Sequence, residues 1–310
     1  MDKQVICSLT TIPSRFEMLK VNLPSILVEQ TFKVDKLIIA IDDCFGDEVY
    51  ERYEALREEY PKIEIIKCDK RWRSCNKLLP ALKMYPESVI ITTDDDHFLP
   101  PKCFETLVKE YETHPNCIIA QECNPLVIED GKIKFLNSFD VMLKQVEFAK
   151  YLSNCCLFPP HTFDGTDLYD WDKMNYITGN LDDELWFMIN STLNGVQCIG
   201  LNYVHSLEPE VKIAHKDGDY TLTDSNKQQE FINLKCDRMN EVYGERMLEE
   251  INKKKNVFTI TNENVYSFLY LLPYIKMLYG ERAEVAFDEN ITKSWKEMLL
   301  ACLNDGRYRV

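Results

Sequence analysis

Up to Gln121 the chain alternates between two periodicities, and that alternation leaves few folds open. Apolar, largely β-branched runs of strand length occur at residues 4–10, 36–41, 63–67, 88–93 and 117–121. The stretches between them have helical spacing. Residues 15–30 carry Leu19, Leu23, Ile26 and Leu27 on one face, with Pro24 expected to kink or divide the helix. Residues 48–60, 76–85 and 101–114 follow the same logic, the last opening with prolines suited to a first helical turn. Strand and helix in strict alternation imply right-handed βαβ units. The expected fold class is therefore α/β, with a Rossmann-like, mostly parallel sheet flanked by helices.

Past residue 120 the rhythm loosens. Gly131, the Leu157-Phe158-Pro159-Pro160 run and the acidic stretch 164–172 read as loop. Helix returns at residues 183–193, where Leu185, Met188, Ile189, Thr192 and Leu193 share a face. From about Lys227 the chain reads as mainly helical. A soft boundary near residue 245 divides a main domain, 1–245, from a C-terminal helical extension, 246–310. With 310 residues, 45% of them apolar, there is enough chain to bury a real core, which excludes disorder.

Charge narrows the partners. Thirty-six Lys and Arg against 51 Asp and Glu leave a net charge of -15, a field that repels phosphate backbones and anionic headgroups. No nucleic-acid partner is expected. The start lacks a basic region followed by an apolar run, and the longest apolar stretch, near Phe268 to Ile275, is interrupted by Pro273. The expectation is a cytoplasmic protein with no transmembrane segment, which leaves room for peripheral membrane contact. The 12 cysteines are scattered with no C-x-x-C pair, so neither a disulfide framework nor structural zinc is expected.

Four segments could carry chemistry. The apolar run from Val89 ends abruptly in Asp94, Asp95 and Asp96, and ligands of open α/β sheets bind outside the carboxyl ends of the strands. Adjacent carboxylates there suit a hard divalent ion, or serve only as an acidic cap for the following helix. Ser8 to Arg15 follows the first strand and offers hydroxyls, backbone N–H groups and a guanidinium, or ordinary capping by Thr11 or Ser14. Arg71, Arg73 and Lys77 follow the third strand and bring basic charge to an acidic protein, which favours an anionic ligand such as a diphosphate. Asp182, Asp183 and Glu184 stand where loop enters helix, placed either for general-base work or for capping.

In chain order, Ser8 to Arg15, Asn76 to Pro80, Asp94 to Asp96, and Leu157-Phe158-Pro159-Pro160 with Asp182 to Phe187 resemble the GT-A glycosyltransferases, nucleotide-sugar-dependent enzymes with a metal-binding D-x-D motif, and among them bacterial polysaccharide and lipopolysaccharide enzymes. The resemblance spans about residues 3 to 235. It implies that Asp96 is the direct metal ligand, with Asp94 and Asp95 at the ribose and the metal's waters. It also implies that Asp42, Thr10, Pro13 and Arg15 form the base and ribose pocket, and that Lys77 approaches the diphosphate. Asp183, with Asp182 as the close alternative, would face the acceptor as base, and His205 or His215 would add a late metal ligand. The implied cofactor is Mn2+ or Mg2+, the donor a nucleoside-diphosphate sugar with UDP favoured, and the acceptor a glycan or glycolipid. Two other classes compete: a sugar nucleotidyltransferase, disfavoured because residues 10–15 contain no glycine, and a non-catalytic nucleotide-sugar or partner-binding module.

Overall fold

The computed structural model describes residues 3–135, 144–151, 155–201, 211–212, 229–262 and 264–304. The first half follows the expected alternation. Strands β1 (Val5–Thr11), β2 (Lys36–Asp42), β3 (Ile63–Cys68) and β4 (Val89–Thr92) pair side by side in the order β3-β2-β1-β4, all parallel. Helices α1 (Phe16–Leu27), α2 (Asp47–Glu54), α3 (Leu79–Met84) and α4 (Cys103–Thr113) occupy the connections. Pro24 does not divide α1. It sits in the last turn, and the helix ends three residues on, with Val28 N–H donating to the Pro24 carbonyl.

The strands are apolar along their whole length because both faces are covered. Ile6, Ile38 and Ile90 face a cluster that includes Leu79, Leu185, Trp186 and Met239. Cys7, Leu9, Ile39 and Ile91 face the other cluster, with Leu19, Leu23 and Ile26 of α1 and Phe104 and Leu107 of α4. Side chains alternate across a strand, so one run of isoleucines serves two cores.

Beyond β4 the structure departs from the loop-rich expectation. The chain adds β5 (His97–Phe98), β6 (Ile118–Ala120), β7 (Cys123–Glu129), β8 (Lys132–Phe135), β9 (Lys144–Glu147), β10 (Ala149–Tyr151) and β11 (Cys156–Phe158). The Leu157-Phe158 segment read as loop is the strand β11. It lies antiparallel between β4 and β6, both buried faces contributing to the core. Its partners are distant in sequence, so no local periodicity announces it. The acidic stretch ends in a helix rather than loop: α5 (Trp171–Thr178), capped by Asp170, whose carboxylate accepts from Lys173 N–H.

After α6 (Asp183–Leu193) and β12 (Cys198–Gly200), β13 (Val211–Lys212) pairs antiparallel with β5. The following helix, Gln229–Lys253, runs through residue 245, where composition had suggested a boundary. Beyond it the chain is helical over Val265–Tyr279 and Lys293–Asn304, as expected, but it also supplies β14 (Asn256–Ile260) and β15 (Ala283–Phe287). These two extend the main sheet through β14 against β9. Among the described residues the sheet has ten strands in the order β15-β14-β9-β12-β6-β11-β4-β1-β2-β3. Only β9 and β11 run against the rest, so the sheet is mostly parallel. No helix of the described residues is long and apolar enough to cross a membrane.

Candidate active site

In the order β3-β2-β1-β4 the chain reverses its direction of travel across the sheet between β1 and β4, and the loops leaving those two strands part to open a crevice. The loop after β1 holds Thr11 and Arg15; the loop after β4 holds Asp94, Asp95 and Asp96. They meet. Thr11 Oγ1 donates to Asp95 Oδ2 at 2.6 Å, and Arg15 Nη1 to Asp95 Oδ1 at 2.8 Å. Asp95 is 2% exposed, and burial pushes its carboxyl above the ordinary aspartate range against the pull of Arg15 and Thr11. Both Asp95 carboxylate oxygens accept from the first loop, so the residue braces the two loops together. Arg15 is held firmly charged by Asp95 and Asp96 although burial opposes it.

Polar side chains on α1 and just beyond its end fix the backbone of the acidic loop. Asn22 Nδ2 lies 3.4 Å from the carbonyls of Asp94 and Asp95, Ser25 Oγ accepts from Leu99 N–H, and Gln30 Nε2 donates to the Pro100 carbonyl. All three side chains are buried. Asn22 and Ser25, polar positions among the apolar residues of α1, and Gln30 just beyond the helix were the signal in the sequence.

Lys77 enters from a 3-10 segment, Lys70–Lys77, in which Arg73 adopts φ 44° and ψ -122°, a sparsely populated conformation for a non-glycine residue. Asn76 Nδ2 in this segment donates to Asp42 Oδ1 at 3.2 Å, fixing the carboxylate at the end of β2. Burial pushes the Asp42 carboxyl up, partly opposed by that hydrogen bond. The Lys77 side chain is 6% exposed, with Nζ 2.7 Å from Asp94 Oδ1 and 3.3 Å from Asp183 Oδ2. Burial pulls the ammonium's pKa down, but Asp183 and Asp94 outweigh it and hold it well above the usual lysine range. One buried cation thus joins the acidic loop to α6. Thr10 Oγ1 donates to the Ala40 carbonyl, and Pro13 opens the 3-10 turn Pro13–Arg15 that returns Arg15 to the cluster.

The two aspartates at the head of α6 separate cleanly. Gly179, at φ 63°, ends α5 in the left-handed conformation, and the chain turns at once into α6. Asp182 is the N-cap, accepting from Leu185 N–H at 2.9 Å, and it pairs with Lys150 at 3.0 Å and with Lys235. Burial would raise its pKa, but Lys150 and Lys235 outweigh that and hold it below the ordinary value. Asp183, one residue on, points toward Lys77 and the acidic loop. Glu184 is pushed up to about 7 by burial and by its two acidic neighbours, against the pull of Lys150.

Asp94, Asp96 and His97 each offer a ligand atom, and these atoms lie within 4.8 Å of one another. Among the described residues, the carboxylates of Asp94, Asp95, Asp96 and Asp183 surround Arg15 and Lys77. Carboxylate oxygens with an imidazole nitrogen are a competent donor set for a divalent ion. His97 was missed in the sequence, although it directly follows the acidic run. His205 and His215, expected as late ligands, lie outside the described residues.

Residues 16–125 match the family model described as Glycosyl transferase family 2. Two solved structures of S. aureus TarS 1-349 are similar. The one in complex with UDP is 14% identical, covering 87% of this chain and 75% of that chain at a TM-score of 0.46. The other is 15% identical, covering 91% and 82% at a TM-score of 0.45. Among curated protein sequences none matches. Of the motifs that carry the resemblance to GT-A glycosyltransferases, the matched segment contains residues 76–80 and the run Asp94, Asp95, Asp96, while residues 8–15, 157–160 and 182–187 lie outside it. Over residues 16–125 the chain is thus similar to glycosyl transferase family 2.

Proposed function

We propose that the protein transfers a sugar from a nucleoside-diphosphate sugar, a UDP-sugar first among them, to a hydroxyl of a glycan or glycolipid, with Mn2+ or Mg2+ at Asp94 and Asp96. The observation that carries this reading is the meeting of the loops after β1 and β4, Lys77 and Asp183 at one sheet edge. A divalent ion held there supplies positive charge to a departing diphosphate. The chain's own groups do the rest. Lys77, kept charged and buried, adds a second cation beside the phosphates without needing to reorganise. Thr10, Pro13 and Asp42 line the edge where β1 and β2 end and would hold the base and ribose. Arg15, through Asp95, keeps the acidic loop in register with that pocket.

Asp183 is the base in this reading. It stands in the first turn of α6, where it can accept the proton of an acceptor hydroxyl attacking opposite the leaving diphosphate, giving inversion at the anomeric carbon. Asp182, committed to its cap and two lysines, takes the positioning role. Residues 1–245 would form the catalytic domain. The appended part has its own apolar cluster of Phe258, Val265, Phe268 and Leu272. We also place the protein in the cytoplasm, in polysaccharide synthesis.

A thermal-shift panel of UDP, GDP, CMP and their sugars, with and without Mn2+, tests the donor side, because a ligand bound by the native state raises its stability. Metal-dependent stabilisation by one nucleotide family, abolished in Asp96→Ala, is the expected result. A folded protein that responds to none of them would refute the reading.

A further inference from the structure

The metal site just proposed has one feature that an acidic run alone would lack. His97 is the first residue of β5, whose backbone pairs with Lys212 and Val211 of β13, so the imidazole is delivered by a strand rather than a free loop. It is 8% exposed. Its Nδ1 lies 3.1 Å from Asp96 Oδ1 and 3.7 Å from Asp94 Oδ2. Adjacent ligands of an octahedral ion with bonds of about 2.1 Å stand roughly 3 Å apart, so the Asp96 and His97 atoms already have the spacing of neighbours around one ion.

We propose, resting on the metal-dependent reading above, that His97 is a direct nitrogen ligand of the divalent ion and makes the site select Mn2+ over Mg2+. Mg2+ is a hard ion that takes oxygen ligands and gives up its waters reluctantly, so replacing an oxygen position by imidazole nitrogen weakens it. Transition ions accept a mixed nitrogen and oxygen set. Both carboxylates and the imidazole are mostly buried or half-buried, and Asp96 is held beside Arg15, 4.0 Å away, on the side of the first loop. The ligands are thus positioned before the ion arrives, and the imidazole needs only to turn its nitrogen from Asp96 to the metal.

Pulsed electron paramagnetic resonance of Mn2+ bound to the full chain reads this directly, because a coordinated imidazole imprints a nitrogen coupling on the manganese spin. The expected result is a nitrogen coupling in the wild type that disappears in His97→Gln and His97→Asn. In parallel, the ratio of Mn2+ to Mg2+ affinity measured by calorimetry should fall by about tenfold or more in these variants. Mn2+ bound in an Asp96-dependent manner without nitrogen coupling, or with coupling retained in both variants, would overturn the role of His97 and leave the metal-dependent reading intact. No Mn2+ binding with or without UDP would overturn both. Should neither variant fold, nitrogen coupling that survives in the double variant His205→Gln/His215→Gln supports the assignment, and its loss overturns it.

Discussion

Asp182 and Asp183 are neighbours in sequence with opposite expected roles, and two substitutions should separate them. The Asp182 side chain is 5% exposed; it caps α6 and pairs with Lys150 and Lys235, themselves 19% and 4% exposed. Asp182→Asn keeps a competent cap but removes the charge, and breaking a buried ion pair from one side costs about 3 to 5 kcal/mol. Lys150 also stands 3.8 Å from Glu184, so the lower end of that range applies. Asp182→Ala loses the cap as well, about 1 kcal/mol more. For a chain of this size the loss corresponds to a fall in Tm of roughly 5 to 10 °C. Because the folded state holds the Asp182 pKa down, its contribution is present above the ordinary aspartate pKa and is lost as pH falls through the lowered value. Asp182→Asn should therefore flatten the acid limb of stability against pH. Asp183→Asn removes one of the two carboxylates beside buried Lys77, which keeps Asp94, so it should lose less stability than Asp182→Asn and bind donor normally, yet fail to transfer. Calorimetric melts between pH 3 and 8, with a donor-binding and a transfer assay on each variant, decide the matter. Wild-type Tm in Asp182→Asn, or near-normal transfer in Asp183→Asn, would refute the division of roles.

Thr11→Val removes the hydroxyl that donates to buried Asp95, and a hydrogen bond to a charged group contributes about 1.5 to 3 kcal/mol. Lower Tm and weaker donor binding are expected together, and a change in neither would show that Asp95 does not brace the two loops. Glu184, whose pKa is raised to about 7, binds a proton more tightly folded than unfolded, so its stabilising contribution falls as pH rises from about 4.5. Glu184→Gln should remove a decline in stability between about pH 4.5 and 7, read from denaturant midpoints across that range. Among the described cysteines, only Cys44 is exposed, and burial raises the Cys68 thiol to about 12 and those of Cys117 and Cys236 to about 11. Cys44 should react with a thiol reagent well before these three, as mass spectrometry of the labelled native protein would show.

The parallel half of the fold was legible because its information is local. Runs such as Leu37 to Ile41 are apolar on both faces whatever they pack against, and the helices between them declare their buried side by periodicity. The placement of the acidic run was legible too, since β4 ends just before it and strand ends face a crevice. What each acidic residue does was not. Asp94, Asp95 and Asp96 are chemically identical in sequence. They become a lysine partner, a loop brace and a metal-ligand candidate only because Lys77, Arg15 and His97 arrive from separate elements. The same holds for Asp182, whose lysine partners stand 32 and 53 residues away. Strand β11 and the addition of β14 and β15 to the sheet likewise depend on distant edges becoming available. Periodicity and strand-end chemistry therefore determined the fold class and the position of the site. Burial and long-range charge pairing, which exist only once the chain is folded, decided which carboxylate braces, which caps and which faces Lys77.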